Sequence, residues 1–459
     1  MKSKKPILFI LILCFILRLS FFLAVQYRNT DYQQQFIKGD ALEYHILASN
    51  LVNYHQFSSE KDGPPNTYRT PGYPLFISIF YLIFGPQPWV VLFVQIIVDT
   101  ITCLFVYLIG ESMLSKRAGL FSSFFYALDP SAILHTSTLL SDILFVFFIL
   151  LSIYFFSKLI KGKDEKEYLI PLILSSIFIA IATLIRPITI YLPILLILFL
   201  LIYFKGKIKY AFKLVLIFLV IFILTLSPWM IRNAIIFGSY SLSSSSTKSL
   251  IEMYVPPFEM EKRNQPYETV TSSLMNEADS LMLKDGYNPY KMDEFQKSPY
   301  WKKVALKHIA ENPILFLKHY AIGTIHYFVN LGTRGYSDML NLEVKTKDFD
   351  IKGKPNPLET IKLWFAKKSL TEILIGIFIS LFLLVSYSGL LAGLIMGWKK
   401  YNKAYLVLCL LMVFYFVLTT GPQGLERYRL PSIPFYLTFT SLGIIYIIDR
   451  FKSKSIHKN

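Results

Sequence analysis

Long apolar stretches recur along the chain and are separated by shorter polar intervals. A helix needs about 20 mostly apolar residues to cross a bilayer. The pattern therefore predicts about ten membrane-spanning helices and an all-α polytopic fold. The predicted spans are residues 6–26, 88–113, 118–134, 143–158, 168–185, 189–204, 211–229, 373–397, 404–420 and 431–449.

The apolar stretch at 73–85 is short for a membrane span and is bordered by prolines and glycines. We predict that it forms a juxtamembrane or re-entrant helix. With that assignment the basic intervals all fall on the side of the N-terminus, as expected for cytoplasmic loops. They contain Lys116 and Arg117; Lys158, Lys161, Lys163 and Lys166; Lys205, Lys207 and Lys209; Lys399, Lys400 and Lys403; and Arg450, Lys452 and Lys454.

Two long polar segments would then face outward. Residues 28–87, the first loop, follow an uncleaved first helix and are predicted to hold juxtamembrane helices. Residues 233–372 are long enough for a mixed external segment or subdomain, in which 309–332 is predicted to lie flat on the membrane. The predicted division is a transmembrane module at 1–232, the external segment at 233–372, and C-terminal transmembrane helices with a basic cytoplasmic tail at 373–459.

Composition narrows the class of protein. Hydrophobic residues make up 54% of the 459 residues and charged residues 17%, with a mean hydropathy of +0.47. Soluble domains carry about 25% charged residues, so an ordinary soluble enzyme is excluded. The basic residues behind the net charge of +17 fall in short runs between apolar stretches, which favours a multi-pass membrane protein over a nucleic-acid-binding protein. No Asn-x-Ser/Thr sequon occurs, which agrees with a protein of the bacterial inner membrane. Cys14, Cys103 and Cys409 lie in apolar runs and are predicted to be buried, unpaired residues.

Candidate chemistry lies at the predicted outer ends of the helices. Asp40 precedes apolar residues at helical spacing, and its structural interpretation is an N-cap. A second outer carboxylate is Asp142. An isolated arginine at a helix end is often a membrane-surface anchor, but several of them beside two carboxylates favour an anion site that includes a base. These arginines are Arg69, Arg186, Arg232, Arg427 and Arg429. Within the membrane, Arg18 and Asp99 are predicted to form a structural pair.

At these residues the chain resembles the GT-C glycosyltransferases, and within them the branch of protein O-mannosyltransferases and lipid A aminoarabinose transferases. The resemblance covers roughly residues 1–240 and 373–449. It rests on Gly39-Asp40 with Tyr44, Arg69-Thr70-Pro71-Gly72-Tyr73-Pro74, Asp129-Pro130, Leu140-Ser141-Asp142, Arg186-Pro187, Pro228-Trp229-Met230-Ile231-Arg232-Asn233 and Arg427-Tyr428-Arg429-Leu430-Pro431.

The resemblance implies a membrane enzyme that transfers a hexose or pentose from a polyprenyl-phosphate donor to an envelope lipid, glycan or protein. It implies a reaction on the outer face, with inversion at the anomeric carbon. Asp40 matches the family's catalytic acidic residue, and Asp142 is the second catalytic candidate. Arginine binds phosphate oxygens with two donors at once, so Arg232, Arg427 and Arg429, followed by Arg186 and Arg69, are the candidates for donor phosphate.

Asp40 and Asp142 are also candidate ligands of a divalent cation such as Mg²⁺, Mn²⁺ or Zn²⁺. Two departures from the family bear on metal dependence. Many relatives have Asp-Glu or Asp-x-Asp in the first loop, whereas here the nearest acidic partner of Asp40 is Glu43. Many relatives also have Glu at the position of Asp142. Two other functions remain open: a transporter or lipid flippase, and a lipid-linked oligosaccharide polymerase or ligase. No internal repeat of the kind common in transporters is present.

Overall fold

The structure is a computed structural model that describes residues 5–29, 36–161, 167–342 and 368–456. Throughout these ranges the regular structure is helical. Up to residue 237 the α-helices are α1 (Lys5–Arg28), α2 (Asp40–Tyr54), α3 (Gly72–Phe84), α4 (Pro88–Met113), α5 (Lys116–Leu128), α6 (Pro130–Thr136), α7 (Asp142–Lys161), α8 (Leu169–Ile185), α9 (Leu192–Tyr203) and α10 (Ile208–Phe237). Beyond it they are α11 (Ser245–Ser249), α12 (Pro256–Arg263), α13 (Tyr267–Lys284), α14 (Glu294–Glu311), α15 (Pro313–Val329), α16 (Thr333–Met339), α17 (Leu370–Lys400), α18 (Lys403–Thr420) and α19 (Ile433–Ile456).

The predicted all-α polytopic fold is confirmed. Seven helical stretches of the described chain are long and apolar enough to cross a membrane, and each covers one of the predicted spans. Two further predicted spans, 168–185 and 189–204, correspond to shorter apolar helices at Leu169–Ile185 and Pro187–Tyr203. The protein is therefore an integral membrane protein, and the total of ten spans stays a prediction.

The predicted span at 118–134 is wrong as a single helix. It is divided into α5 and α6, because Pro130 cannot donate a backbone hydrogen bond and Asp129 instead caps α6 through the amide of Ala132. Near the break, the Arg18 guanidinium donates to the carbonyl oxygens of Tyr126 at 3.2 Å and Ala127 at 2.6 Å. These bonds fix α1 against the end of α5.

Arg18 also forms the predicted pair with Asp99. Its Nε lies 2.6 Å from Asp99 Oδ2, and both side chains are fully buried. The other carboxylate oxygen accepts a hydrogen bond from the Tyr126 hydroxyl at 2.6 Å. Every charged atom of the Asp99 carboxylate thus has a partner, as expected for a charge inside a membrane protein.

The first loop contains the two helices that the sequence predicted, α2 and α3. At 13 residues, α3 is about 20 Å long, which is too short to cross a bilayer of about 30 Å. Gly72 at its start lies directly against the backbone of Leu184, where a Cβ atom would come within 2.7 Å of the carbonyl oxygen. The Thr70 hydroxyl donates to the neighbouring carbonyl of Ile185 at 3.2 Å. Glycine at position 72 therefore lets the first loop dock on the end of α8.

Some intervals that were predicted to share the cytoplasmic side are in contact with one another. Arg117 forms an ion pair of 2.6 Å with Asp449, close to the C-terminal tail. The Tyr203 hydroxyl donates to the carbonyl of Ile160 at 3.0 Å, which joins the ends of α7 and α9. Lys163, Lys166 and the side chain of Lys454 lie outside the described residues.

Helices α17 and α19 approach each other so closely that their backbones touch. A Cβ atom at Gly393 would lie 1.8 Å from the Phe439 carbonyl oxygen, and one at Gly443 would lie 2.0 Å from that of Gly389. Small residues at such a crossing are typical of membrane helices, whose association depends on close packing.

Segment 233–372 is helical where the structure describes it and has a small core of its own. Side chains from α12, α13 and α14 form this core together with the π-helical turn Leu250–Tyr254. Its buried members include Ile251, Phe258, Leu274, Met282 and Trp301. On α15, Ile314 is 82% exposed and Leu317 and Ile325 are also exposed. That apolar face agrees with the predicted membrane-surface position of 309–332, which stays a prediction.

Candidate functional site

Asp40 begins helix α2 but does not cap it. The N-cap residue is Gly39, with a φ of 56° that glycine tolerates, and no side chain caps this end. The expectation that Asp40 is an N-cap is therefore wrong. Its carboxylate instead points toward two arginines, which compete for it more strongly than the helix amides because charged partners make stronger hydrogen bonds.

The first of these partners is Arg69, in the loop between α2 and α3. Asn66 fixes this loop by accepting hydrogen bonds from the amides of Tyr68 and Arg69 at 3.0 and 2.8 Å. The guanidinium of Arg69 lies 4.7 Å from the ring centres of both Tyr44 and Tyr68. It is thereby held between two aromatic faces, a favourable position for a cation.

Arg69 reaches both carboxylates on the exposed side of α2. Its Nη2 lies 2.9 Å from Asp40 Oδ1, and its Nε donates to Glu43 Oε2 at 2.8 Å. Residues three apart lie on the same face of a helix, so Asp40 and Glu43 present their carboxylates together.

The second partner is Arg427, which reaches Asp40 from the far end of the chain. It lies in the 3₁₀ segment Glu426–Ser432 that leads into α19. Its Nη1 and Nη2 both donate to Asp40 Oδ2 at 3.1 Å. Burial by itself would raise the pKa of Asp40, but Arg427 and Arg69 outweigh it and hold that pKa below its ordinary value. Asp40 is therefore an ionised carboxylate in the free protein.

A second pair of opposite charges lies beside the first. Asp142, the buried first residue of α7, is ion-paired with Arg186 at the end of α8. Pro187 follows Arg186 and helps to end that helix. The aromatic ring of Tyr428 joins the two pairs, with its centre 5.7 Å from the Arg186 guanidinium and 5.1 Å from that of Arg427.

Arg232 and Arg429 are placed elsewhere. Arg232 lies over the ring of Trp229 at 4.5 Å and donates to the side chain of Asn233 at 2.7 Å. Arg429 is 1% exposed and donates to the carbonyl of Phe328 at 2.7 Å. Within the described ranges neither guanidinium has a hydrogen bond or ion pair with Asp40 or Asp142. The sequence analysis placed Arg232 and Arg429, with Arg427, ahead of Arg186 and Arg69, whereas the structure brings Arg69, Arg186 and Arg427 to the carboxylates.

One side chain near Asp142, His135, was not singled out from the sequence. His135, at the end of α6, is 5% exposed, and its Nε2 lies 3.9 Å from Glu426 Oε1. That nitrogen makes no hydrogen bond to any described residue. Burial is the main cause that lowers the pKa of His135, so the ring is neutral at pH 7. No spacing in the sequence marks His135, because its position depends on the break between α5 and α6.

A cavity of about 560 Å³ lies beside Asp40, and its lining includes Arg69 but not Arg427. First-loop residues between Asp40 and Arg69 form one wall, and Lys248, Glu252 and Glu294 of segment 233–372 form the other. The Ser244 amide donates to the carbonyl of Thr67 at 2.9 Å and joins the two walls.

The placement of the carboxylates does not fit a shared metal ion. Both oxygens of Asp40 are occupied by arginine donors, and Asp142 is paired with Arg186. Among the residues that the structure describes, no group of three or more His, Cys, Asp or Glu side chains is arranged to hold a metal ion. The Asp40 and Asp142 carboxylates are neutralised by arginines, which a cation would have to displace.

The structure is therefore that of an integral membrane protein in which paired carboxylates and arginines lie close together. Residues 68–231 match the family model described as dolichyl-phosphate-mannose-protein mannosyltransferase. This stretch contains Arg69, Asp142 and Arg186. The other two residues of the two ion-paired groups, Asp40 and Arg427, lie outside it. The resemblance to the GT-C glycosyltransferases and their mannosyltransferase branch is thereby confirmed.

Two solved structures of one enzyme agree with this chain at the level of the fold. The apo oligosaccharyltransferase of Archaeoglobus fulgidus is 13% identical, with a TM-score of 0.54 over 100% of this chain and 52% of that one. The same enzyme tethered to an acceptor peptide is 14% identical, with a TM-score of 0.52 over 98% and 50%. ArnT from Cupriavidus metallidurans, bound to undecaprenyl phosphate, is 10% identical with a TM-score of 0.40 over 92% and 77%. This chain thus spans about half the length of the oligosaccharyltransferase. No curated protein sequence matches it.

Proposed function

We propose that this protein is a glycosyltransferase that moves a sugar from a polyprenyl-phosphate donor to an acceptor hydroxyl in the cell envelope. One observation carries the proposal: an ionised carboxylate, Asp40, lies between two arginines, with the Asp142–Arg186 pair beside it. Such a site offers a base and an anion-binding surface within reach of one bound phosphate. The family match over 68–231 supports a lipid-phosphate sugar as the donor.

The proposed reaction is a single displacement. The acceptor hydroxyl oxygen forms a bond to the anomeric carbon while the bond from that carbon to the phosphate oxygen breaks. The hydroxyl proton passes to the Asp40 carboxylate, and the electron pair leaves with polyprenyl phosphate, so the anomeric configuration inverts. A positioned base contributes about 10²- to 10⁴-fold to such a step. Phosphate is a good leaving group, so no general acid is needed.

The arginines have a second role in this proposal. A carboxylate held by two guanidinium groups is a weak base, because its pKa lies below its ordinary value. Donor phosphate competes with Asp40 for Arg427, whose two terminal nitrogens both contact Oδ2. When phosphate takes Arg427, the Asp40 pKa rises and the carboxylate becomes a better base. Asp40 is thus activated only when the donor is bound.

The test is direct. The purified chain in nanodiscs is offered a panel of radiolabelled polyprenyl-phosphate hexoses and pentoses with an envelope extract as acceptor. We expect loss of label from the lipid and its appearance in an acceptor or as free sugar. A flippase would leave the label on the lipid. A polymerase or ligase would act only on donors that carry an oligosaccharide. Either outcome would overturn the proposal.

We further propose that the site faces outward from a bacterial inner membrane. The ion pair between Arg117 and Asp449 lies at the bundle end that carries the basic intervals, which supports this orientation. The measurement uses Lys61→Cys and Lys161→Cys in a background without Cys14, Cys103 and Cys409. An impermeant thiol reagent on intact cells should label position 61 and spare position 161. The reverse pattern would contradict the orientation.

A further inference from the structure

The cavity beside Asp40 differs in chemistry from the arginine side of the same carboxylate. Asp40 Oδ2 faces Arg427 and Oδ1 faces Arg69, and of these two arginines Arg69 lines the cavity while Arg427 does not. The lining contains five carboxylates but only two cationic side chains, Arg69 and Lys248. An anion such as phosphate is therefore favoured on the Arg427 side and repelled on the cavity side.

Most of these charges are already paired. Arg69 is shared by Asp40 and Glu43, as described above. Lys248 lies 2.6 Å from Glu294, and this ion pair joins α11 to α14. Glu294 also accepts hydrogen bonds from the hydroxyls of Ser244 at 2.5 Å and Thr67 at 3.1 Å. Glu294 therefore serves to hold the two walls together.

Glu60 and Glu252 are the exceptions, because neither carboxylate makes a hydrogen bond or ion pair with any residue that the structure describes. Glu60 is exposed to solvent, whereas the side chain of Glu252 is half-buried. Burial is the main cause that raises the pKa of Glu252, as expected for a carboxylate without a bonded partner. An ionised carboxylate in this position lacks the donor that it needs.

Most of the charged groups around the cavity accept hydrogen bonds, so a complementary ligand must be rich in donors. Hydroxyl and ammonium groups supply donors, whereas phosphate and carboxylate groups supply only further acceptors. The ring of Tyr68 and the side chains of Pro64 and Pro65 add apolar surface beside these acceptors. A sugar presents this combination of hydroxyl groups and apolar ring faces.

We propose that the cavity is the acceptor subsite and that it takes a polyhydroxy ligand carrying a positive charge, of which an amino sugar is the simplest example. This inference rests on the proposed function. Glu252 is its specificity-determining residue, because it is the half-buried carboxylate of the lining without a bonded partner, whereas Glu60 is exposed to solvent. The acceptor hydroxyl reaches Asp40 from the cavity while donor phosphate lies on the Arg427 side, so the two substrates cannot exchange places.

The experiment measures binding of three probes to the full chain in nanodiscs by saturation-transfer NMR. The probes are methyl glucosaminide, methyl glucoside and glucose 6-phosphate, which are cationic, neutral and anionic. We expect the cationic probe to bind best and the phosphate worst. Glu252→Gln should reduce the advantage of the cationic probe over the neutral one by about three- to tenfold. Glu268→Gln, an exposed carboxylate of the same segment, is the matched control and should leave the order unchanged.

Three results would overturn the inference. They are the absence of binding by any probe, equal binding of all three, and a preference that Glu252→Gln changes no more than Glu268→Gln does. Glu252→Lys provides a second check, because it should favour the phosphate probe. None of these measurements needs the donor or turnover. Failure of the proposed function would appear separately, as absence of binding or turnover of the labelled polyprenyl-phosphate sugar.

Discussion

Two pairings of arginine with aspartate in this protein have the same components and opposite surroundings. Arg18 and Asp99 are fully buried between helices, and their polar partners are all protein groups. Asp40 is 38% exposed at its side chain, and its partners Arg69 and Arg427 are 14% and 24% exposed. The first pair is enclosed by protein, whereas the second borders a cavity.

The difference in exposure indicates a structural role for the Arg18–Asp99 pair and a functional role for Asp40 and its arginines. A buried pair without solvent access has no room for a substrate, and its value lies in the helices that it fixes. A partly exposed pair can exchange one partner for a ligand without unfolding the protein. Charge alone therefore does not identify a site. The identifying feature is a charged group whose partner can be replaced.

The largest expected effect is on stability, at the enclosed pair. Asp99→Asn leaves the Arg18 charge buried without a counter-ion, which costs about 3–5 kcal/mol. We expect a large fall in Tm in nanodiscs. Asp40→Asn should leave Tm nearly unchanged, because that side chain is partly exposed. The comparison fails if the two variants lose similar stability. As a control, the double variant Arg18→Met and Asp99→Leu should recover part of the stability that Asp99→Asn loses.

The next effect is on donor affinity, at the open pair. Arg427→Ala removes a charge-assisted contact with phosphate, so binding of a labelled polyprenyl-phosphate sugar should weaken about tenfold to a hundredfold. Arg427→Lys should restore only part of it, because lysine cannot form two parallel hydrogen bonds. Arg334→Ala, at a 92% exposed position, is the control. Arg232→Ala should also keep the affinity for the donor, because Arg232 contacts aromatic rings rather than Asp40 or Asp142. A loss of affinity equal to that of Arg427→Ala would restore Arg232 as the phosphate ligand.

A smaller effect concerns pH. In the free protein the two arginines hold the Asp40 pKa below its ordinary value, so kcat/KM for the donor should fall only at pH values below the usual carboxyl range. With donor bound, Arg427 is engaged by phosphate and the Asp40 pKa rises. The acid limb of kcat should therefore lie at higher pH than that of kcat/KM. Arg69→Ala should move the acid limb of kcat/KM to higher pH. Acid limbs of kcat and kcat/KM that coincide in the unaltered protein would rule out the transfer of Arg427 from Asp40 to donor phosphate.

The smallest effect is expected from metal removal. Because arginines already occupy the oxygens of Asp40 and pair with Asp142, turnover after chelation should stay within about twofold of the untreated value, far less than the factor that a lost metal catalyst costs. The measurement compares initial rates before and after dialysis against EDTA. Loss of activity that Mg²⁺, Mn²⁺ or Zn²⁺ restores would show that a cation displaces the arginines.

Much of the fold follows from local patterns. Apolar runs located the long helices, and the Arg18–Asp99 pair was predictable because a charge inside a membrane protein needs a partner. The first-loop helices followed from helical spacing and proline positions. The division of 118–134 into two helices was missed, because apolar residues stand on both sides of Asp129 and Pro130. The helical backbone hydrogen bonds, in contrast, are interrupted there.

The site was less predictable, for a physical reason. Asp40 and Arg427 are 387 positions apart, and no local pattern joins them. Arg427 and Arg429 looked equivalent in the sequence, but residues two apart in a 3₁₀ segment point in different directions. One therefore reaches Asp40 and the other is buried against the carbonyl of Phe328. The sequence indicated carboxylates and arginines at helix ends, while tertiary packing decided which of them meet.

The central claim is that Asp40 is the base of a glycosyl transfer, and the most direct measurement compares Asp40→Asn with the unaltered protein in nanodiscs. Both are assayed for binding of the labelled donor and for turnover at saturating donor and acceptor. We predict that Asp40→Asn folds, binds the donor at least as well because Arg427 is released, and turns over at least about a hundredfold more slowly. Unchanged turnover in the folded variant would contradict the assignment of Asp40 as the base.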